Sequence, residues 1–177
     1  MSSVINKKEY GELVRQHAQH VLGFVMRLLS DRSEAEDVAQ DVFVKAYQRL
    51  DTFRGDSSFL TWVLRIAYHE SVNHLRRQRP CMIELDEVAA HSDMMSCSTI
   101  DKEFTIGSDE RIQLLEKAVE DLKPDDQLLI HMYYYEERSL NDIAYIMDAE
   151  PNTLSQRLRR IRKRLMVMIK QKEDGRD

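Results

Sequence analysis

The chain has 177 residues, 42% hydrophobic and 32% charged, with five Gly and three Pro. That is the composition of a soluble globular protein with too little turn material for a sandwich or barrel, and its many Leu, Met, Arg, Lys, Glu, Gln and Ala predict an all-α fold. The formal charge of −5 argues against nucleic acid as a partner only until its distribution is seen. Residues 81–110 hold Glu84, Asp86, Glu87, Asp93, Asp101, Glu103, Asp109 and Glu110 against Lys102 alone. Residues 151–172 hold Arg157, Arg159, Arg160, Arg162, Lys163, Arg164, Lys170 and Lys172 with no acid. The layout is that of basic modules flanking an acidic connector.

The amino terminus has no apolar signal core, and no apolar run approaches the length that crosses a bilayer, which predicts a cytoplasmic chain without direct membrane insertion. From about Lys7 to Leu29, Tyr10, Leu13, Val14, His17, Val21, Phe24, Val25, Leu28 and Leu29 recur at three- and four-residue steps, predicting a helix with one buried face. Asp31 and Ser33 are caps for a second helix, whose stripe is Ala35, Val38, Ala39, Val42, Phe43, Ala46, Tyr47 and Leu50. The segment Asp51 to Ser58 reads as a loop, and a third helix runs from Phe59 to about Arg79, stopped by Pro80. On it Trp62, Arg65, His69, Asn73 and Arg76 share one arc of about 80°. A Trp among cations suits unpaired bases, which stack on indole while the cations hold phosphates; a buried Trp62 is the equally weighted alternative.

Periodicity is lost between Cys81 and about Ser108, where Ser and Asp accumulate, so this stretch reads as a flexible acidic linker between two small helical domains, 1–80 and 109–177. Cys81 and Cys97 fit no ligand spacing, and neither a metal nor any other cofactor is expected. Helical pattern returns at Ile112, Leu115, Val119 and Leu122, and again after Pro124 at Leu128, Leu129, Met132 and Tyr133. Ser139 can cap a short helix from Leu140 to Met147, with Asp142 completing a weak capping box. Asp148, Ala149 and Glu150 are long enough for the turn of a helix-turn-helix, and Pro151 suits the first position of the helix that follows, to about Lys170. There Leu154, Leu158, Ile161, Leu165 and Met168 should face inward. The opposite arc carries Asn152, Gln156, Arg159, Arg160 and Lys163, residue types that read base edges and hold phosphates. The alternative is a solvated charged face.

The stretch RLDTFRGDSSFLTWVLRIAYHESVNHLRRQ, preceded by SEAEDVAQDVFVKAY, closely resembles the promoter-melting domain of extracytoplasmic-function (ECF, group IV) sigma factors of the sigma-70 superfamily. SLNDIAYIMDAEPNTLSQRLRRIRKRL resembles their carboxy-terminal domain, so the resemblance covers nearly the whole chain apart from the linker. It implies a non-enzymatic subunit that joins core RNA polymerase, through the clamp helices of the β′ subunit and through the β subunit, and binds promoter DNA. The family's D-x-x-Q-[DE] contact pattern is matched by Asp37, Gln40 and Asp41. Its specificity loop, which captures a base flipped from the minus-ten element, corresponds to Phe53, Arg54, Asp56, Ser57 and Ser58 with Gly55 among them. Trp62 matches one member of a melting pair whose second position is Val63 here. Asn152, Thr153, Gln156 and Arg160 fall to the minus-thirty-five element. Asp148 stands in the turn where many members carry Gly. The resemblance also implies an anti-sigma factor as partner, often membrane-anchored in the family. A rival reading is a helix-turn-helix regulator that never joins the polymerase.

Overall fold

The computed structural model describes residues 7–78 and 109–174, and every described element is helical. The acidic segment 81–108, with Cys81 and Cys97, lies outside the described residues. The elements are α1 (Lys7–Met26), α2 (Arg32–Gln48), α3 (Phe59–Gln78), α4 (Asp109–Glu120), α5 (Pro124–Ile130), α6 (Leu140–Met147) and α7 (Pro151–Asp174). A 3-10 turn, Leu50–Thr52, follows α2, and one turn of π-helix, His131–Tyr135, follows α5.

Helix α1 stops three residues short of the apolar stripe. Arg27 and Leu28 donate back to the carbonyls of Phe24 and Val25 in a tightened turn, which still buries Leu28 and Leu29. The chain must leave the helix there because Asp31 caps α2, its carboxylate accepting from the Glu34 amide at 3.0 Å. Ser58 does the same for α3, accepting from the Thr61 amide at 3.0 Å. Ser139 caps α6 through the Asp142 amide at 3.1 Å and bonds the Asp142 carboxyl at 2.6 Å, the box expected from the sequence. Pro124 and Pro151 open α5 and α7, where a missing amide hydrogen removes no helical bond.

Helices α1, α2 and α3 pack on one another around Val21, Val25, Val42, Val63 and Leu64. The carboxy-terminal helices close around Leu128, Leu129, Met132, Ile143, Ile146, Leu154 and Leu158. Helix α6 lies directly against α3, and the buried side chains of the two groups form one continuous apolar cluster. The two groups are therefore in contact through α3 and α6. The cause lies in α3: its amino-terminal half buries Phe59, Thr61, Trp62, Val63, Leu64, Ile66 and Ala67, which point to every side of the helix. A helix apolar all round needs neighbours all round, and α6 supplies the side that α1 and α2 do not reach.

Polar side chains cross between the two groups. Tyr68 donates to Asp125 at 3.3 Å, Arg138 to the Thr61 hydroxyl at 3.4 Å, and Arg65 to the end of α6. Glu136 sits among basic side chains, with Arg138 Nε at 2.5 Å, His20 Nε2 at 3.3 Å and His131 Nε2 at 3.4 Å.

This cluster makes stability sensitive to pH. Burial pushes the His131 imidazole below its ordinary value and the nearby Arg27 and His20 push the same way, against Glu136. His17 is lowered by burial and by His20. Burial acts to raise the Glu136 carboxyl, but the Arg138 hydrogen bond and charge, with His20 and His131, bring it below its usual range. A group whose folded-state pKa is depressed stabilises the fold above its unfolded value and loses that contribution as pH falls through the folded one. Melting temperature should therefore begin to drop as pH falls toward the ordinary histidine value of about 6.5 and go on dropping below it, as the histidines are forced to charge. It should fall again below about pH 4.3, as Glu136 is protonated. His131→Gln should flatten the first drop in melts followed by circular dichroism, and an equally steep drop in that variant would remove His131 as its source.

Candidate nucleic-acid interface

Helix α7 presents the faces expected of it. Leu154, Leu158, Ile161 and Leu165 are buried, with Met168 packed beside them, while Asn152, Gln156, Arg160 and Lys163 are exposed on the other side. Thr153 and Arg159 lie at the edge, half-buried. Two cations of the basic run are diverted from the surface. Arg157 donates to Asp126 at 2.6 Å, tying α7 to α5, and Arg162 is 8% exposed. The basic run thus overstates the charge available to a ligand, and the exposed arc is narrower and richer in Asn and Gln than the count of cations suggests.

The turn before α7 places Asp148 in the left-handed region, at φ 54° and ψ 49°. Its amide closes the end of α6 on the Ala144 carbonyl, as does that of Ala149 at 3.0 Å. Asp is among the few residues other than Gly that occupy this region readily, because its short side chain can bond locally or to a neighbour.

The loop between α2 and α3 has an open rim over a filled base. Arg54, Asp56 and Ser58 are exposed, Ser57 is half-buried, and Gly55 adopts φ 77°, a conformation other side chains resist. Phe53 folds inward against Trp62 and Phe59, with ring centroids 5.2 and 6.0 Å away. Phe59 in turn meets Tyr10 edge-on at 5.9 Å, and Tyr10 lies 5.3 Å from Tyr47. The Tyr10 hydroxyl donates to the Phe43 carbonyl at 2.5 Å, and burial pushes its pKa up to about 12.

Trp62 is thus a core residue, 8% exposed, and not the free stacking platform that its helical phase allowed. Helical phase left the buried and exposed readings of Trp62 open because it gave α3 a single buried face. The signal was present in residues 59–67, where Arg65 is the lone charged side chain. Asn73 and Arg76 do reach solvent, and His69 is half-buried beside Tyr68. Arg65 is engaged with α6, so the structure brings this arc only partly to the surface.

On α2, Asp37, Gln40 and Asp41 are exposed together, outside the buried stripe of Ala35, Val38, Ala39 and Val42. Val44, 56% exposed, follows three and four residues after Asp41 and Gln40 on the same side. Sequence reading passed over it, although its position out of phase with the buried stripe marks it as outward-facing. An uncovered aliphatic residue beside three polar ones has the make-up of a protein contact, apolar at the centre and polar at the rim. Among the described residues no helix is long and apolar enough to cross a membrane, and no group of His, Cys, Asp and Glu is arranged to hold a metal ion.

Comparison with known proteins matches residues 13–80 to sigma-70 region 2 and residues 112–165 to sigma-70 region 4. The chain is 33% identical to the RNA polymerase sigma-H factor of Pseudomonas aeruginosa over 166 residues, 89% of this chain and 84% of that one. It is 32% identical to the ECF RNA polymerase sigma-E factor of Escherichia coli over 162 residues, with the same coverage. Among solved structures its fold is similar to that of the sigma factor RpoE in complex with the anti-sigma factor NepR from Bartonella quintana, with TM-score 0.64, 24% identity, and 92% and 98% of the two chains covered. It also resembles CnrH in complex with the cytosolic domain of CnrY, with TM-score 0.60, 18% identity, and 93% and 90% covered.

Proposed function

The chain belongs to the extracytoplasmic-function sigma factors of the sigma-70 family, which direct promoter-specific transcription by RNA polymerase, and from that premise we propose how its residues divide the work. Asp37, Gln40 and Asp41, with Val44 one turn further along α2, form the surface that docks on core polymerase. Asn152, Thr153, Gln156 and Arg160, flanked by Arg159 and Lys163, read the minus-thirty-five element in the major groove. Arg54, Asp56, Ser57 and Ser58 on the loop rim, with Arg65, His69, Asn73 and Arg76 along α3, meet the minus-ten element. Trp62 and Phe53 form the floor beneath that rim, a preformed apolar base against which a flipped nucleotide can rest.

The observation that carries this reading is the division of α7 into a buried aliphatic arc and an exposed Asn/Gln/Arg arc, directly after a capped helix and a three-residue turn. A merely solvated helix would expose all its cations, whereas here Arg157 and Arg162 are turned to structural use and the outward set is of base-reading type. Arg160→Ala should weaken binding to minus-thirty-five duplex by about 1–3 kcal/mol, roughly fivefold to 150-fold, with discrimination lost at one base position. A uniform loss across all sequences would instead make Arg160 a phosphate contact.

The chain supplies binding and positioning, and the polymerase supplies the chemistry, so it acts in the cytoplasm where the polymerase works. An anti-sigma factor is the fitting regulatory partner, since two solved structures of similar fold are described as complexes with an anti-sigma factor and with the cytosolic domain of CnrY. Run-off transcription with core enzyme over a genomic promoter library tests the whole reading: transcripts that begin downstream of a shared two-part motif are expected, and no initiation from any promoter would overturn it.

A further inference from the structure

We propose that Arg65 and Asp148 form a latch that holds the carboxy-terminal helices closed on α3 in the free factor, and that this latch must release before Arg65 can meet DNA. The geometry is specific. Arg65 Nη2 donates to Asp148 Oδ1 at 2.5 Å, Nη1 donates to the Tyr145 carbonyl at 2.5 Å, and the guanidinium carbon lies 4.8 Å from the Tyr145 ring centroid. A single side chain from the amino-terminal group thereby caps the negative end of a helix in the other group, pairs with its terminal carboxylate and covers its last aromatic ring.

The conformation of Asp148 gives the latch a second support. At φ 54° a Gly would end α6 equally well, and Asp is one of the few other residues that occupy this region readily. What Asp148 gains over Gly is the carboxylate that Arg65 holds.

Closure is also selective. The exposed arc of α7 and the exposed trio on α2 remain accessible, while Arg65, 31% exposed, has both terminal nitrogens turned to α6. A guanidinium held in this orientation against α6 would have to turn away before both terminal nitrogens could take one phosphate together. Closure and bidentate use of Arg65 by the minus-ten strand therefore exclude each other at this residue. This last step rests on the assignment of Arg65 to DNA; the latch itself does not.

The test uses the full chain with Cys81 and Cys97 changed to Ser and donor and acceptor dyes placed at the exposed positions Gln48 on α2 and Gln156 on α7. In Asp148→Gly the turn is preserved and the carboxylate is lost. The open, long-distance population should rise about threefold to tenfold, as expected for a half-exposed ion pair reinforced by a ring contact. Arg65→Gln should match it, and the double variant should exceed neither single one by more than about twofold, because both remove the same contact. Raising salt to about 0.5 M should open the parent and leave Asp148→Gly nearly unchanged. A distance distribution in Asp148→Gly identical to the parent's overturns the latch. Since neither polymerase nor promoter is present, that failure would leave the sigma-factor assignment standing, and a failed run-off assay would leave the latch standing.

Discussion

Trp62→Ala should destabilise the folded chain by about 3–5 kcal/mol, the usual cost of deleting a large buried aromatic. The side chain is 8% exposed and lies between Phe53 and Phe59, at 5.2 and 5.9 Å, so its removal leaves a cavity under the α2–α3 loop as well as on α3. Against a total stability of about 5–15 kcal/mol for a domain of ordinary size, this approaches a loss of the fold at physiological temperature. Urea titration followed by far-ultraviolet circular dichroism measures it. Trp62→Phe keeps an aromatic ring in the cluster and should lose less than half as much. Trp62 is also the chain's single tryptophan, so its emission in the parent should be blue-shifted when native and move to the red in step with the circular dichroism transition. A change below about 0.5 kcal/mol in Trp62→Ala would place the indole at the surface, because substitutions there rarely exceed that value. Promoter-melting defects in Trp62 variants should be judged against these stabilities first, since a collapsed loop floor and a lost stacking contact would look alike in a transcription assay.

The double variant Asp37→Ala, Gln40→Ala should lose about 2–4 kcal/mol of affinity for core polymerase, roughly 30-fold to 1000-fold, with melting temperature unchanged. Both side chains are exposed, neither belongs to the buried cluster, and Ala is the best helix former, so α2 has no reason to fray. Competition against a labelled parent for immobilised core enzyme reports the affinity, and a parallel melt reports the fold. Val44→Asp tests the apolar end of the same patch. A charge placed at 56% exposure is harmless to the free chain but would be desolvated against the polymerase. If the double variant bound core enzyme as tightly as the parent, the interface would have to lie elsewhere on the amino-terminal helices.

These two experiments address opposite sides of the amino-terminal helices. Trp62 supports the loop and α3 from within, and the α2 surface faces outward. The contact between α3 and α6 adds a third consideration. Because Arg65, Tyr68 and Thr61 bond across to the carboxy-terminal helices, substitutions on that side of α3 act on domain closure and on DNA contact together. Asp148→Gly changes the first alone, which makes it the cleaner instrument for separating the two.

Local elements were legible in the sequence because their causes are local. Asp31 and Ser139 cap helices as their short acceptors and spacing predict, Pro124 and Pro151 open helices, and the i, i+4, i+7 run from Leu154 to Leu165 fixes which arc of α7 is buried. The polar arc of α7 and the outward trio on α2 follow from the same periodicity, and the two motif blocks sufficed to identify the family. What periodicity could not reach was the partner of each face. It assigned α3 one buried side, whereas α6 buries a second, so Trp62 entered the core and Arg65 became a helix cap for another part of the chain. It likewise could not tell that Arg157 and Arg162 would be drawn from the basic run, or that Glu136 would gather His20, His131 and Arg138 from distant positions. A helix is set by neighbours three and four residues away, but the fate of a side chain between two helices depends on residues some eighty positions distant, as with Arg65 and Asp148, and only the tertiary packing brings those together.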